Sequence, residues 1–367
     1  MRVLHITYDM RIGGTEMVIK NLIESNTDDT IAMSIFCIEC PLGPWGEELK
    51  DAGVPVYKQK RQPGFDIGLI KTIRQHIKEK NIDIVHCHQY TPWVYGALAT
   101  AFTNTRVVFT EHGRFYPDSS SWKRKLVNPF LSQLTSAITA ISKATKEALI
   151  TYEFIRPEKI DVVYNGIKPL EPVLEALIPL KAKLELPEDA WVFGTVARLD
   201  PIKNQKMLIR AFANVSDVLP NAYLLIVGDG ELMSELKALV AQLNLTQKVI
   251  FTGYKSNPTN YLAIMDVFLL PSLSEGTSIT LLEAMSLGKP CIVTNAGGNP
   301  EIVAHLETGL VTANDNEQEL EEAMLSISQS KELYSQLAAN AMPRFKANFH
   351  AKKMFSNYAK IYRETLE

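Results

Sequence analysis

Cysteine is scarce in this chain. There are 4 in 367 residues, Cys37, Cys40, Cys87 and Cys291. A disulfide scaffold is therefore not implied, and the count fits a reducing compartment. Cys37 and Cys40 form a CxxC, but no second pair exists to complete a zinc ribbon, and the motif ends a strand-like run, SIFCI, where a thioredoxin-like pair would open a helix. These thiols read as incidental. Long apolar runs are also missing. No stretch approaches the roughly 20 residues that span a bilayer, and MRVLHITYDM reads as a strand, without the basic-then-apolar order of a signal segment. The expected location is cytoplasmic, with any lipid contact peripheral, on the inner face of the membrane. A large charge of one sign is absent as well, since the formal net charge is -3. Nothing there points to nucleic acid. Residues 1–168 carry 21 Lys and Arg against 18 Asp and Glu, and the remainder 17 against 23. Such an imbalance is ordinarily a matter of solvated faces.

What is present is alternation. Strand-length apolar runs (VLHITY, IAMSIFCI, PVYK, DIVHCH, RVVFTEH, AITAIS, IDVVYN) alternate with helix-period segments near 15–25, 66–80, 92–102, 122–135 and 143–152. Residues 167–190, with four prolines and many charges, read as a linker and a short helix. The alternation then restarts with WVFGTVA, YLLIVGDG, KVIFTGY, DVFLLPS, PCIVTNA and TGLVT, with helices near 204–217, 231–243 and from about 277. This predicts an α/β chain of two doubly wound parallel-sheet domains, 1–168 and 169–349, with a last helix over 350–367. That helix has one apolar stripe, Phe355, Tyr358, Ile361 and Tyr362.

In such sheets ligands bind beyond the carboxyl ends of the strands. Gly13 and Gly14 follow the first strand and precede a helix that begins at Thr15 and Glu16, an arrangement suited to an anion though it is not a GxGxxG. His112 follows the strand VVFTE, placed to donate to a sugar hydroxyl or a phosphate or simply to satisfy its loop. His86 and His88 share one strand face and read as core and wall residues, because no third metal ligand lies nearby in sequence. Arg198 and Lys203 flank a proline-containing loop after a strand, where a fork and a point charge could clamp a pyrophosphate. Gly228, Asp229 and Gly230 make a tight turn after another strand, and Gly253 and Tyr254 offer a place for a base to stack.

The segment SEGTSITLLEAMSLGKP, 274–290, holds Glu275 and Glu283. Apolar spacing predicts a helix from about Thr277, with Thr277 and Ser278 in its first turn and Gly276 turning the chain before it. Free backbone N–H groups at that tip favour an anion. Carboxylates beside an anion site need partners of their own, and vicinal sugar diols are such partners. Phosphate donors combined with diol acceptors suit a nucleotide sugar.

These residues resemble glycosyltransferase family 4, retaining enzymes of the GT-B fold. Glu275 and Glu283 match the family's pair of glutamates separated by seven residues. Gly13-Gly14 with Glu16, His112, Asn165-Gly166, Arg198 with Lys203, Gly228–Gly230 and Gly253-Tyr254 match its other motifs in order. The resemblance spans nearly the whole chain. It implies two Rossmann-like domains facing across a cleft, the first for the acceptor and the second for the donor, with the last helix crossing back to the first. It implies that Glu283 holds the ribose, that Glu275 holds the transferred sugar, and that the amides of Thr277, Ser278 and Ile279 bind the distal phosphate. His112 would face the donor sugar, and Arg198 and Lys203 would stabilise the leaving diphosphate. No metal and no cofactor is expected, because no DxD stands on a suitable loop. The expected reaction moves a hexosyl group from a nucleotide sugar, UDP-linked before GDP-mannose, to a saccharide or lipid-linked acceptor in cell-surface polysaccharide or glycolipid synthesis. A nucleotide-sugar epimerase and a non-catalytic binding subunit are the alternatives. Residues 117–131, with Trp122, Lys123, Arg124 and Lys125, suggest contact with an anionic membrane.

Overall fold

A computed structural model describes residues 1–113 and 119–367. Pro117 and Asp118, the start of the basic segment, lie outside the described residues. The chain divides into two units, Met1–Gly166 with Ala351–Glu367, and Ile167–His350.

The first unit is a seven-stranded parallel sheet, order β3-β2-β1-β4-β5-β6-β7. Its strands are β1 (Arg2–Thr7), β2 (Ala32–Cys37), β3 (Val56–Lys58), β4 (Ile84–His88), β5 (Arg106–Glu111), β6 (Ala137–Ala140) and β7 (Ile160–Val162). β1 sets the register of the centre, with His5 opposite Ile35 on one side and His86 on the other. One face packs on helices 67–80 and 90–100, where Trp93 lies parallel to Phe109 at 4.2 Å. The other face receives helix Ala351–Leu366, whose stripe Phe355, Tyr358, Ile361 and Tyr362 is buried within this unit.

The second unit is a six-stranded parallel sheet, order β10-β9-β8-β11-β12-β13. Its strands are β8 (Trp191–Val196), β9 (Ala222–Val227), β10 (Val249–Phe251), β11 (Val267–Leu270), β12 (Cys291–Thr294) and β13 (Gly309–Thr312). All are apolar but for Thr195, Thr294 and Thr312, as burial on both faces favours. Helix Gln205–Val218 turns Leu208, Phe212 and Val215 into the core against Phe193 and Ile226. Side chains cap the helices where the sequence supplies them. Asp66 accepts from the Leu69 amide at 3.0 Å, Ser142 from Thr145 at 3.0 Å and Asn316 from Glu319 at 3.1 Å.

Helices Glu317–Gln329 and Lys331–Asn348 lead into the last one, and three short helices stand where sequence signals place none: Pro44–Asp51, Thr259–Ala263 and Asn299–Ile302. Two begin with proline inside the first turn, where its missing N–H is no loss and its fixed φ suits the helix. In both units the strand order reverses beside the first strand. The loops at the carboxyl ends of neighbouring strands therefore diverge there, and a crevice opens.

Candidate active site

In the second unit the switch point lies at the carboxyl end of β8, flanked by β9 and β11. Five loops converge on it and are tied by backbone bonds. The Leu199 amide donates to the Asp229 carbonyl at 2.9 Å, Gly228 to Gly253 at 3.0 Å, Leu273 to Ile202 at 2.7 Å and Gly298 to Glu275 at 3.1 Å. Gly228 has φ +145°, and a β-carbon there would overlap the Ala197 carbonyl. The loop after β9 can approach β8 this closely only with glycine.

Arg198 and Lys203 part company within this frame. Asp200 is buried, caps the short turn Pro201–Lys203 and binds Arg198 Nε at 2.6 Å, leaving most of the guanidinium in solvent. Lys203 turns the other way and donates from Nζ to Glu275 Oε1 at 2.6 Å. Ser272 Oγ donates to the same oxygen at 2.7 Å. Glu275 is thus held at the mouth of the signature helix by two donors, with its side chain 8% exposed.

That helix runs Ile279–Ser286, two residues later than the sequence reading places its start. Ser278 is the N-cap, accepting from the Leu281 amide at 3.4 Å, and Thr277 precedes the helix. A serine side chain offered to the first free N–H groups competes with extending the helix backward. Thr277 and Ser278 are both buried, and Gly276 is half-buried between Glu275 and the cap.

Glu283 lies in the second turn. Among the described residues its carboxyl has no hydrogen-bond or ion-pair partner, and burial pushes its pKa up to about 7. The two acids are therefore unlike: Glu275 is neutralised by a cation, whereas Glu283 is a half-buried acceptor that no donor among the described residues engages. Tyr254 is exposed beyond Gly253, whose φ of +71° turns the chain outward.

One neighbour escapes the sequence reading. Gly297, φ +52°, follows β12 and lies so close to the Glu275 carbonyl that a β-carbon would overlap it. The signal was the paired glycine of NAGGNP after a strand, the same signal as at Gly13-Gly14.

In the first unit the Gly13-Gly14 turn opens helix Gly14–Glu24, with Gly13 as N-cap, so the helix starts one residue earlier than the sequence reading has it. The Glu16 carboxyl folds back over this end, receives a backbone hydrogen bond there and has its pKa raised by burial. The position read as an anion site holds the chain's own carboxyl. His112 follows β5, and its Nε2 meets His88 Nδ1 at 2.8 Å. Burial lowers the His112 pKa to about 3, so the ring is neutral.

His5, His86 and His88 bring ring nitrogens within 4.8 Å of one another, all buried. A metal there would have to displace existing bonds. His86 Nδ1 meets Tyr362 Oη and its Nε2 meets Thr110 Oγ1, both at 2.7 Å, while His5 Nδ1 meets His88 Nε2 at 3.0 Å. The cluster is a hydrogen-bonded seam. Of the CxxC, Cys37 is buried at the end of β2, and burial pushes its thiol up to about 12, which leaves it unreactive.

In helix Trp122–Gln133 the three cations of the basic run are not alike. Arg124 Nη1 is drawn to Glu153 at 2.8 Å, so Lys123 and Lys125 alone remain as exposed cations of that run. The same helix exposes an apolar row one turn apart, Trp122 at 71%, Leu126 at 68% and Phe130 at 55%.

Comparison with known proteins fits this geometry. Residues 12–169 match the family model for Glycosyltransferase Family 4, and residues 179–344 match that for Glycosyl transferases group 1. The chain is 30% identical over 331 residues to the UDP-Gal:alpha-D-GlcNAc-diphosphoundecaprenol alpha-1,3-galactosyltransferase of Escherichia coli, covering 86% of this chain and 85% of that one. It is 27% identical over 316 residues to the N-acetyl-alpha-D-glucosaminyl L-malate synthase of Bacillus anthracis, covering 84% and 82%. Among solved structures, Anabaena HepE in complex with UDP superposes with a TM-score of 0.88 at 23% identity, over 99% of this chain and 100% of that one. Two parallel Rossmann-like sheets in this order are the GT-B architecture, and with a relative at this identity over most of both chains, the protein belongs to the family 4 glycosyltransferases.

Proposed function

We propose that the chain is a retaining, metal-independent hexosyltransferase. It takes a hexosyl group from a nucleoside-diphosphate sugar, UDP-linked before GDP-mannose, and passes it to a saccharide or lipid-linked acceptor in cell-surface glycan synthesis. The observation that carries this reading is Glu283, a half-buried carboxyl with no partner among the described residues, one and a half turns into the helix whose mouth holds the Lys203–Glu275 pair. A ribose diol supplies the two donors that Glu283 lacks, and a diphosphate suits the helix tip with Arg198 and Lys203.

In this mechanism the anomeric C–O bond breaks and its electron pair goes to the distal phosphate oxygen. Lys203, Arg198 and the amides of Thr277 to Ile279 stabilise that charge. The acceptor hydroxyl attacks from the face the phosphate leaves, and its proton passes to the departing phosphate oxygen. Glu275, oriented by Lys203 and Ser272, accepts from hydroxyls of the transferred ring. Gly228, Gly253 and Tyr254 receive the base, and His112 donates to the sugar.

The test is thermal stabilisation by UDP, GDP, ADP and CMP with EDTA present, for the wild type and Glu283→Ala. A ligand at about 100 times its Kd adds about 2.7 kcal/mol. Stabilisation by UDP in the wild type and little in Glu283→Ala is expected. No shift with any nucleotide would overturn the donor reading. A donor converted without acceptor would favour an epimerase.

The lipid-linked acceptor rests on the first unit. The E. coli relative is named for a diphosphoundecaprenol acceptor. Trp122, Leu126 and Phe130, with Lys123 and Lys125 beside them, form an amphipathic face suited to an anionic lipid surface. Among the described residues no helix is long and apolar enough to cross a membrane. The row should matter more than the charges, since two lysines add only about 1 kcal/mol each. In sedimentation with vesicles containing anionic lipid, Trp122→Ala/Leu126→Ala/Phe130→Ala is expected to lose binding, and Lys123→Ala/Lys125→Ala to weaken it. Equal sedimentation of wild type and the apolar triple variant would sink the idea.

A further inference from the structure

The centre of the first sheet is polar on the face that helix Ala351–Leu366 covers, where a buried face is ordinarily apolar. β1 contributes His5 and Thr7, β4 His86 and His88, β5 Thr110 and β6 Thr139, every one buried. From the helix, Tyr358 Oη reaches Thr110 Oγ1 at 3.0 Å and Tyr362 Oη reaches His86. Two hydrogen-bond systems result. In one, Tyr362, His86, Thr110, Thr139 and Tyr358 close on one another, with Thr110 and Thr139 2.6 Å apart. It fastens the helix to the sheet.

The other system is open-ended. It runs from His5 Nδ1 to His88 Nε2, 3.0 Å, and from His88 Nδ1 to His112 Nε2, 2.8 Å. Burial depresses the pKa of all three rings far below 6.5, so each is neutral with a single N–H. Three protons then have two consistent arrangements. If His112 Nε2 donates to His88, His88 Nε2 donates to His5, leaving a bare Nδ1 on His112 and a proton on His5 Nε2. If His5 Nδ1 donates to His88, His88 Nδ1 donates to His112, and the ends exchange character. In either case His88 spends both nitrogens on its neighbours. Among the described residues the end atoms, His5 Nε2 and His112 Nδ1, are buried without a partner.

We infer that His88 is a positioning residue for His112. The second nitrogen of an imidazole takes its character from the bond the first one makes. By occupying His112 Nε2, His88 holds the ring in one orientation and makes the character of Nδ1 follow from the relay. His5 closes the far end, and His112 presents a donor at Nδ1 in the arrangement where His5 Nδ1 donates to His88. The inference rests on the proposed part of His112 in sugar transfer, and it explains why an imidazole of β4 is kept in a core where leucine would pack without polar debt.

Two variants separate positioning from packing. Asparagine at 88 places an amide where Nδ1 stands, facing His112. Glutamine places it where Nε2 stands, facing His5. Each loses one buried bond and should lower Tm by a similar amount. His88→Asn is expected to keep most of the transfer activity. His88→Gln should lose about tenfold or more in kcat/KM for the donor, with the acceptor KM unchanged. In spectra of protein labelled with 15N-histidine, His112 in the wild type and in His88→Asn should show separate Nδ1 and Nε2 shifts, and in His88→Gln shifts that converge. Equal loss in both variants, or an unchanged His112 signal in His88→Gln, overturns the inference. If even the wild type transfers no sugar, the proposed function fails, while the nitrogen shifts still decide the relay.

Discussion

Lys203→Met is expected to lower the transfer rate by about 10²–10³-fold, the usual effect of removing one preorganised donor from a developing negative charge. It should also lower stability. Lys203 Nζ binds Glu275 Oε1 at 2.6 Å, and the carboxylate is nearly buried. Breaking a buried pair from one side costs about 3–5 kcal/mol because the remaining charge is stranded. The loss here should fall toward about 2 kcal/mol, since Lys203 is partly solvated and Ser272 still donates to Glu275. Glu275→Gln removes the stranded charge and keeps an oxygen for Ser272. The double variant Lys203→Met/Glu275→Gln should therefore regain most of the lost stability and none of the activity. Thermal melts and transfer rates for the four proteins of this cycle test both halves. A double variant that recovers transfer would show the pair to be structural only.

That pair also shows where sequence reading stops. Apolar runs marked the strands, because a parallel strand buried on both faces is largely apolar, and even β1, β4, β5 and β6 with their buried His and Thr keep enough apolar positions to stand out. The short helices at Pro44–Asp51 and Asn299–Ile302 were hidden because proline and glycine signal a turn and a helix start alike. In the site, Glu275 stood out by its place before a helix. Its partner is 72 residues upstream, and no spacing rule joins a loop after β8 to one after β11 until the sheet order makes them neighbours. Gly297 is a similar case, adjacent to Glu275 only through β12. Period-two alternation put His86 and His88 on one face. The link to His5 and His112 needed β1 and β5 on either side of β4. Local chemistry was legible, and contacts made across strand order were not.

Nucleotide affinity is expected to rise with pH and level off above about 7. Burial raises the Glu283 carboxyl to about 7 from an ordinary 4.5, so near neutrality the free protein is divided between the acid and the carboxylate. A ribose diol donates two hydrogen bonds, and the carboxylate accepts both. Binding thus favours the ionised form, which is scarce below pH 7 and complete above it. Hydrogen bonds to a charged group are worth about 1.5–3 kcal/mol, so Glu283→Gln should weaken UDP binding by roughly 10–100-fold and flatten its pH dependence. Stability should move the opposite way. A carboxyl whose folded pKa is raised binds more protons folded than unfolded between pH 4.5 and about 7, so unfolding free energy falls across that window and stays low above it. The penalty above pH 7 is on the order of 3 kcal/mol, and Glu283→Gln should not carry it. Calorimetric titration with UDP and denaturant melts, both run from about pH 5 to 8.5 on the two proteins, measure the pair of slopes. Opposite slopes in the wild type, both absent in the glutamine variant, would identify one group behind both effects, a carboxyl partly withdrawn from water at a cost in stability that the bound diol offsets. If UDP affinity is flat in the wild type, Glu283 does not meet the ribose, and the stability slope alone remains to be explained by its burial.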